Sequence, residues 1–386
     1  MSWDLLSRVI PHSAPFCTPT SPELAWLDDE VLRLRVWGSE RVYRLRTDAP
    51  RLLIGTAASC AIQVHDPSNY TSREHAYVER EAGLWRIVNR SKNGLHIDSE
   101  PHVRSFLKPG MRITLGPRFT LIAESARTIA LRAALARMRG WGAELSDSLD
   151  WTLQTLRLTL FGKAIFTLCG AGDLVMAAQE LHRLTLGEHR PFVVCSAAGR
   201  HRQPADEDES EGEGAGAGMG VTRLVPRVSS GSDAVALARG GTICIDNRRL
   251  PKDLSVVLEL QRASGSPTQV FVLGKYVRKT EVFTARPFVI PPLSARAGEL
   301  DRLVEEYEAE APRRLGIGPP ELTATQRERI RKRCKTLSDL EKATLRLSAL
   351  RWAGTLRGAA ALLGMSTGSL AEWLRDQGLQ GAHTSA

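Results

Sequence analysis

Three short stretches carry side chains suited to holding a phosphate group: Gly55-Thr56 after an apolar run, Ser72-Arg73-Glu74-His75, and Ser91-Lys92-Asn93-Gly94. Serine and asparagine side chains and loop N–H groups bond phosphate oxygens, and Arg or Lys adds charge at the rim. Between them run short alternating segments, such as Ala61-Ile62-Gln63-Val64 and Ala76-Tyr77-Val78-Glu79, with turn residues at close intervals. That rhythm predicts an all-β sandwich whose loops gather at one end. Taken singly, these residues are a loop serine, a core histidine and an Asn-Gly turn. Their joint order is what points to one surface.

In this order the three pieces resemble the forkhead-associated (FHA) domain, which binds phosphothreonine peptides. The resemblance spans 31–124 and continues into Leu107-Lys108-Pro109-Gly110 and Ile113-Thr114-Leu115-Gly116. It implies that Ser72 bonds the phosphate, that Asn93 holds the peptide backbone, and that Arg73 and Lys92 sit at the rim. Gly55, His75 and Gly94 then brace the loops. The family usually has Arg directly after its first Gly, and here that place is Thr56.

Charge and composition bound the rest. The 386-residue chain is long enough for two or three cores. It has 52 Lys plus Arg against 43 Asp plus Glu, a net +9, which permits contact with nucleic acid without requiring it. Its cysteines (Cys17, Cys60, Cys169, Cys195, Cys244, Cys334) are scattered, with no C-x-x-C pair or histidine set for zinc. Reduced, intracellular thiols follow from that pattern. No apolar run reaches the ~20 residues of a membrane span, and the N-terminus has no signal-peptide pattern. A cytoplasmic protein without cofactor or metal is expected.

Along the chain, 1–26 reads as a flexible Pro/Ser/Thr-rich leader, 27–125 as the sandwich, and 126–150 as a connecting helix. In that helix Ile129, Leu131, Leu135 and Met138 recur at helical spacing, and Arg127, Arg132, Arg137 and Arg139 read as a solvated face. From 151 to 311 the pattern becomes α/β. A helix over 153–160 precedes the apolar runs Ala164-Ile165-Phe166-Thr167-Leu168, Pro191-Phe192-Val193-Val194-Cys195, Gly241-Thr242-Ile243-Cys244-Ile245 and Gln269-Val270-Phe271-Val272-Leu273, which suit buried parallel strands. A helix is expected over 250–263. An acidic, Gly/Ala-rich insert over 200–238 reads as flexible.

This order of elements resembles the AAA+ domain of sigma-54-dependent transcriptional activators, with its reactive positions changed. Gly170-Ala171-Gly172-Asp173 stands at the phosphate loop, without the Lys and Ser/Thr that hold phosphates and Mg²⁺. Asp246-Asn247 stands where the family has Asp-Glu, and an amide cannot serve as general base. The lid arginine of the family falls near Ser338, and the loop that engages the sigma factor is missing. The implied middle is a degenerate, non-catalytic AAA+-like domain; a plain parallel α/β domain is the alternative.

Over 320–386 helical patterns end in Gly354, Gly364 and Gly378, and Ser366 can cap the last helix. Helix, glycine turn, helix is a helix-turn-helix, and it resembles the Fis-type unit that ends sigma-54 activators. That resemblance implies DNA contact through Thr367, Ser369, Glu372 and Arg375, with phosphate contacts from the basic run that includes Arg331, Lys332 and Arg333. The last helix also carries acidic Glu372 and Asp376, so weak sequence preference is expected, and a bundle used for packing or dimerisation stays open.

The chain therefore reads as multidomain: all-β FHA sandwich, degenerate α/β AAA+-like domain, all-α helix-turn-helix. The expected function is a non-catalytic signalling and transcriptional regulator docking a phosphothreonine-containing, kinase-linked partner. Its output would come through DNA or mixed assembly with sigma-54 activator relatives. A protein–protein adaptor without DNA contact is the rival.

Overall fold

The computed structural model describes residues 29–46, 51–162, 164–197, 225–262, 268–275, 286–319 and 321–378. The leader expected over 1–26 and most of the insert expected over 200–238 lie outside the described residues.

Alternation of apolar and polar residues builds a sandwich of two sheets. One runs in the order β2 (Val42–Arg44), β1 (Arg33–Val36), β11 (Phe119–Glu124), β10 (Arg112–Leu115), β7 (Leu95–Ile97), β8 (Glu100–His102). The other runs β4 (Ile62–Gln63), β3 (Arg51–Gly55), β5 (Ala76–Glu81), β6 (Leu84–Asn89), β9 (Arg104–Phe106). Leu34, Ile54, Val78, Ile87, Leu95, Ile113 and Leu121 face each other between the sheets and are fully buried. Each buried side chain of that size stabilises by roughly 1.5–3 kcal/mol.

Ser125 and Thr128 form a capping box that starts α1 (Ala126–Arg139). A 3-10 turn then leads into α2 (Ser146–Thr159), which begins well before the 153 expected. The early start follows from packing: α2 lies along the outer face of the six-stranded sheet. Trp151 meets Trp37 edge to face at 4.9 Å, and Gln154 donates to the Gly110 carbonyl at 2.7 Å.

The arginines of α1 correct the expectation of a solvated face. Arg132 is buried and paired with Glu40 and Asp150; Arg137 is largely buried and paired with Glu180 and Glu310. Carboxylates distant in sequence neutralise them, a relation that periodicity along one helix cannot report.

The next unit is a parallel sheet in the order β14 (Arg227–Val228), β13 (Phe192–Cys195), β15 (Thr242–Asp246), β16 (Gln269–Gly274), β12 (Phe166–Gly170), β17 (Phe288–Ile290). Around it pack α3 (Leu174–Leu186), α4 (Gly231–Leu237) and α5 (Leu254–Arg262). Thus 225–238, read as the end of a flexible insert, forms β14 and α4. Ser230 caps α4, and Asp253 accepts from Ser230 Oγ, Gly231 N and Ser232 N. The α5 helix begins past Pro251, four residues later than expected.

A 3-10 stretch (Leu293–Glu299) leads to α6 (Leu300–Leu315), then α7 (Ala324–Arg333), α8 (Leu337–Ala353), α9 (Leu356–Leu363) and α10 (Thr367–Asp376). Leu303 and Tyr307 of α6 share one core with Leu340, Leu347, Ala359 and Leu370. Packing therefore places α6 with the C-terminal helices, although the sequence divides near 311.

Candidate functional site

The loops β3–β4, β4–β5 and β6–β7 meet at one end of the sandwich. Gly55 permits this: the Arg73 carbonyl lies so close that a Cβ at Gly55 would overlap it. Thr56 N then donates to the Ser72 carbonyl at 3.1 Å, and Ala57 N to the Arg73 carbonyl at 3.0 Å.

His75, fully buried, ties two loops together. Its Nδ1 accepts from Ser72 N–H at 3.1 Å, so the proton sits on Nε2, which donates to the Gly94 carbonyl at 2.7 Å. Burial holds the imidazole below its ordinary pKa and therefore neutral. Gly94 itself is left-handed, at φ +83°.

Ser72 and Ser91 bring their hydroxyls to 2.7 Å across the loops, and Ser91 Oγ also accepts from Asn93 N at 3.1 Å. Asn93, exposed, donates from Nδ2 to the Tyr70 carbonyl at 2.6 Å. Arg73 and Lys92 are exposed, each following the serine of its loop. Thr56 is half-buried beside them in the network. The residues expected to form one surface are therefore gathered: two hydroxyls, an amide and two rim cations around a rigid floor. Such a set can bond phosphate oxygens.

One support lies outside the three stretches. Asp66 accepts from Ser68 Oγ and N and, at 2.6 Å, from Thr71 N; the Ser68 bond is the main reason its carboxyl stays well below the usual range. The Asp-Pro-Ser spacing of an Asx turn signals that role. Ser91 belongs to the third stretch, and its contact with Ser72 is what gives it a place beside the phosphate-bonding hydroxyl.

At the carboxyl end of β12 the strand–loop–helix arrangement is present, with Asp173 capping α3 through Val175 N at 3.1 Å. Gly172 lies against Thr336: a Cβ there would come to 2.8 Å from Thr336 Cβ. A cavity of about 30 Å³ remains beside Asp173, Leu174, Tyr307 and Ser338, room for about one water. Asp246 bonds Arg248, and Asn247 N donates to the Leu273 carbonyl at 2.8 Å.

In the C-terminal unit, α9 ends at left-handed Gly364, and Ser366 caps α10 through Ser369 N at 3.0 Å. Thr367, Glu372, Arg375 and Asp376 are exposed on α10. Much of the basic run is paired internally. Arg327 bonds Glu308 at 2.9 Å, Arg331 forms an ion pair with Asp301 at 2.6 Å, and Lys332 lies 3.1 Å from Glu328. Arg329 donates to the Gln377 and Gly378 carbonyls. Arg333 is exposed.

Among known proteins, residues 52–116 match the FHA domain family, and the sandwich is an FHA domain. One similar solved structure is an FHA domain studied for phosphothreonine-dependent interactions (24% identity, 24% of this chain and 93% of that one, TM-score 0.22). Mycobacterium tuberculosis EmbR in complex with a low-affinity phosphopeptide shares 27% identity over 25% of each chain, with TM-score 0.22. The N-terminal FHA domain of Saccharomyces cerevisiae Rad53p, solved with a phosphothreonine peptide, shares 16% over 26% of this chain and 96% of that one, with TM-score 0.23. No curated protein matches the chain. No helix among the described residues is long and apolar enough to cross a membrane.

Proposed function

We propose that the chain is a non-catalytic, cytoplasmic signalling regulator that docks a phosphothreonine-bearing protein through its FHA loops. The observation that carries this reading is the hydroxyl pair of Ser72 and Ser91, 2.7 Å apart on a floor held by neutral His75. Its test is fluorescence anisotropy of a phosphothreonine peptide library on the full chain. Phosphate-dependent binding lost in Ser72→Ala supports the reading; equal retention of phosphorylated and unphosphorylated peptides removes it.

For the middle we infer a non-hydrolysing relative of the AAA+ domain of sigma-54 activators. It is supported by a strand–loop–helix at β12 and α3 without the Lys of a working phosphate loop, and by a crevice about the size of a water. For the output we propose weakly specific duplex binding by the α9–α10 helix-turn-helix, alone or assembled with sigma-54 activator relatives. The adaptor reading is favoured by one observation: Arg327, Arg331 and Lys332 already face carboxylates. Anisotropy on random and promoter-derived duplexes across a salt series separates the two. Each phosphate neutralised adds about −0.9 to the slope of log affinity against log salt. No binding at low salt leaves the adaptor.

A further inference from the structure

A second concave site opens on the C-terminal unit, between α8, the end of α7 and α10. Its volume is about 340 Å³, and Arg333, Lys335, Lys342, Arg346 and Trp373 line it. The volume falls within the range of small-molecule sites, roughly 300–1,000 Å³.

Cations crowd this cleft with little acid to offset them. On the neighbouring helices several are neutralised: Arg314 meets Glu341, Arg327 meets Glu308, and Arg331 meets Asp301. Among the described residues no ion pair joins Arg333 or Lys335 to a carboxylate, and Lys342 reaches Asp173 only at 3.7 Å. One carboxylate, Asp339, lines the cleft, and it is turned to the backbone N–H groups of Lys335 and Thr336 at 3.1 and 2.9 Å. Like charges crowded into a concavity repel one another and focus a positive potential, which an anion relieves. Arg346 lies over the Trp373 ring, 5.1 Å from its centroid, so one wall is flat and aromatic.

We propose that this cleft binds a multiply phosphorylated ligand, with phosphates on Arg333, Lys335 and Lys342 and any attached ring against the Arg346–Trp373 wall. Several linked phosphates match several cations better than a single carboxylate would, because each added negative charge meets its own donor. The site is separate from the FHA loops and adjoins the narrow crevice at Asp173 through Lys342.

The test is calorimetry on the full chain with inorganic triphosphate at low salt. Binding is expected, and Lys342→Gln with Arg346→Gln should weaken it at least tenfold while circular dichroism stays unchanged. Arg183→Gln, on α3 and already paired with Glu180, should leave it within twofold. Trp373→Leu should weaken adenosine diphosphate more than triphosphate. Displacement of triphosphate by a duplex would identify a nucleic-acid backbone as the source of the phosphates; lack of displacement would identify a free ligand. No heat with triphosphate, or equal binding by wild type and the double variant, overturns the proposal.

Discussion

Arg35 and Asp150 are both fully buried and stand 115 residues apart, yet Arg35 Nη1 donates to Asp150 Oδ2 at 2.9 Å. Arg35 also donates to Glu124 at 2.7 Å, and Asp150 accepts from Arg132 and from Gly38 N. The charges of sheet and helix thus complete one another where neither could remain buried alone.

Removing one partner leaves charge stranded in the interior, at a cost of roughly 3–5 kcal/mol. Arg35→Ala should lower stability by about that much, read from the urea midpoint of the full chain. A surface change such as Arg41→Ala should shift it by less than about 0.5 kcal/mol. An Arg35→Ala midpoint equal to wild type would mean the junction does not stabilise the fold.

Thr56 follows Gly55 in the loop cluster, its N–H on the Ser72 carbonyl, so a cation there would reach the proposed phosphate site. A charge-assisted bond contributes about 1.5–3 kcal/mol, so Thr56→Arg should tighten phosphothreonine peptide binding roughly ten- to hundredfold. Titrating the same peptide against both proteins decides it. Unchanged affinity would show that position 56 does not face the phosphate.

Burial pulls His182 down to about 4 from an ordinary 6.5; its Nε2 proton is held by the Arg190 carbonyl at 3.1 Å. Above pH 6.5 both folded and unfolded chains keep the ring neutral. Below it the unfolded chain takes a proton that the folded one resists, so stability falls until pH reaches about 4, by about 3 kcal/mol. His182→Gln should flatten that part of the curve, measured by urea melts from pH 7 to 4. Equal slopes for both proteins would contradict this.

Hydrolysis of ATP should be absent. The crevice beside Asp173 is about 30 Å³, and Asp246 is occupied by Arg248. Phosphate release followed with Mg²⁺ should stay at background. Sustained turnover that stops in Asp246→Ala would defeat the non-catalytic reading.

Local grammar made much of this legible. Short alternating runs gave the sandwich, and Ser72, His75, Asn93 and Gly94 lie together because their loops share one end. Caps at Ser366 and Gly364 sit where residue type placed them. What stayed hidden depends on partners far away in sequence. Asp301 and Glu308 determine whether the basic run is free, and Glu40, Asp150, Glu180 and Glu310 determine whether Arg132 and Arg137 face water. Likewise α2 starts early because a sheet covers its first turns, not because its own residues announce a start.

That cover defines where the chain can be cut. A fragment ending at Glu124 would keep every strand of the sandwich but bare Arg35, Trp37 and the Gly110 carbonyl to solvent. One ending at Leu160 would keep that cover but bare Leu131, Leu135, Leu149, Leu153 and Leu156, which pack with Phe166, Leu168 and Phe271 in the core of the parallel sheet. The two helices are thus shared between sandwich and sheet, and a cut on either side of them strips a face that one of the two needs.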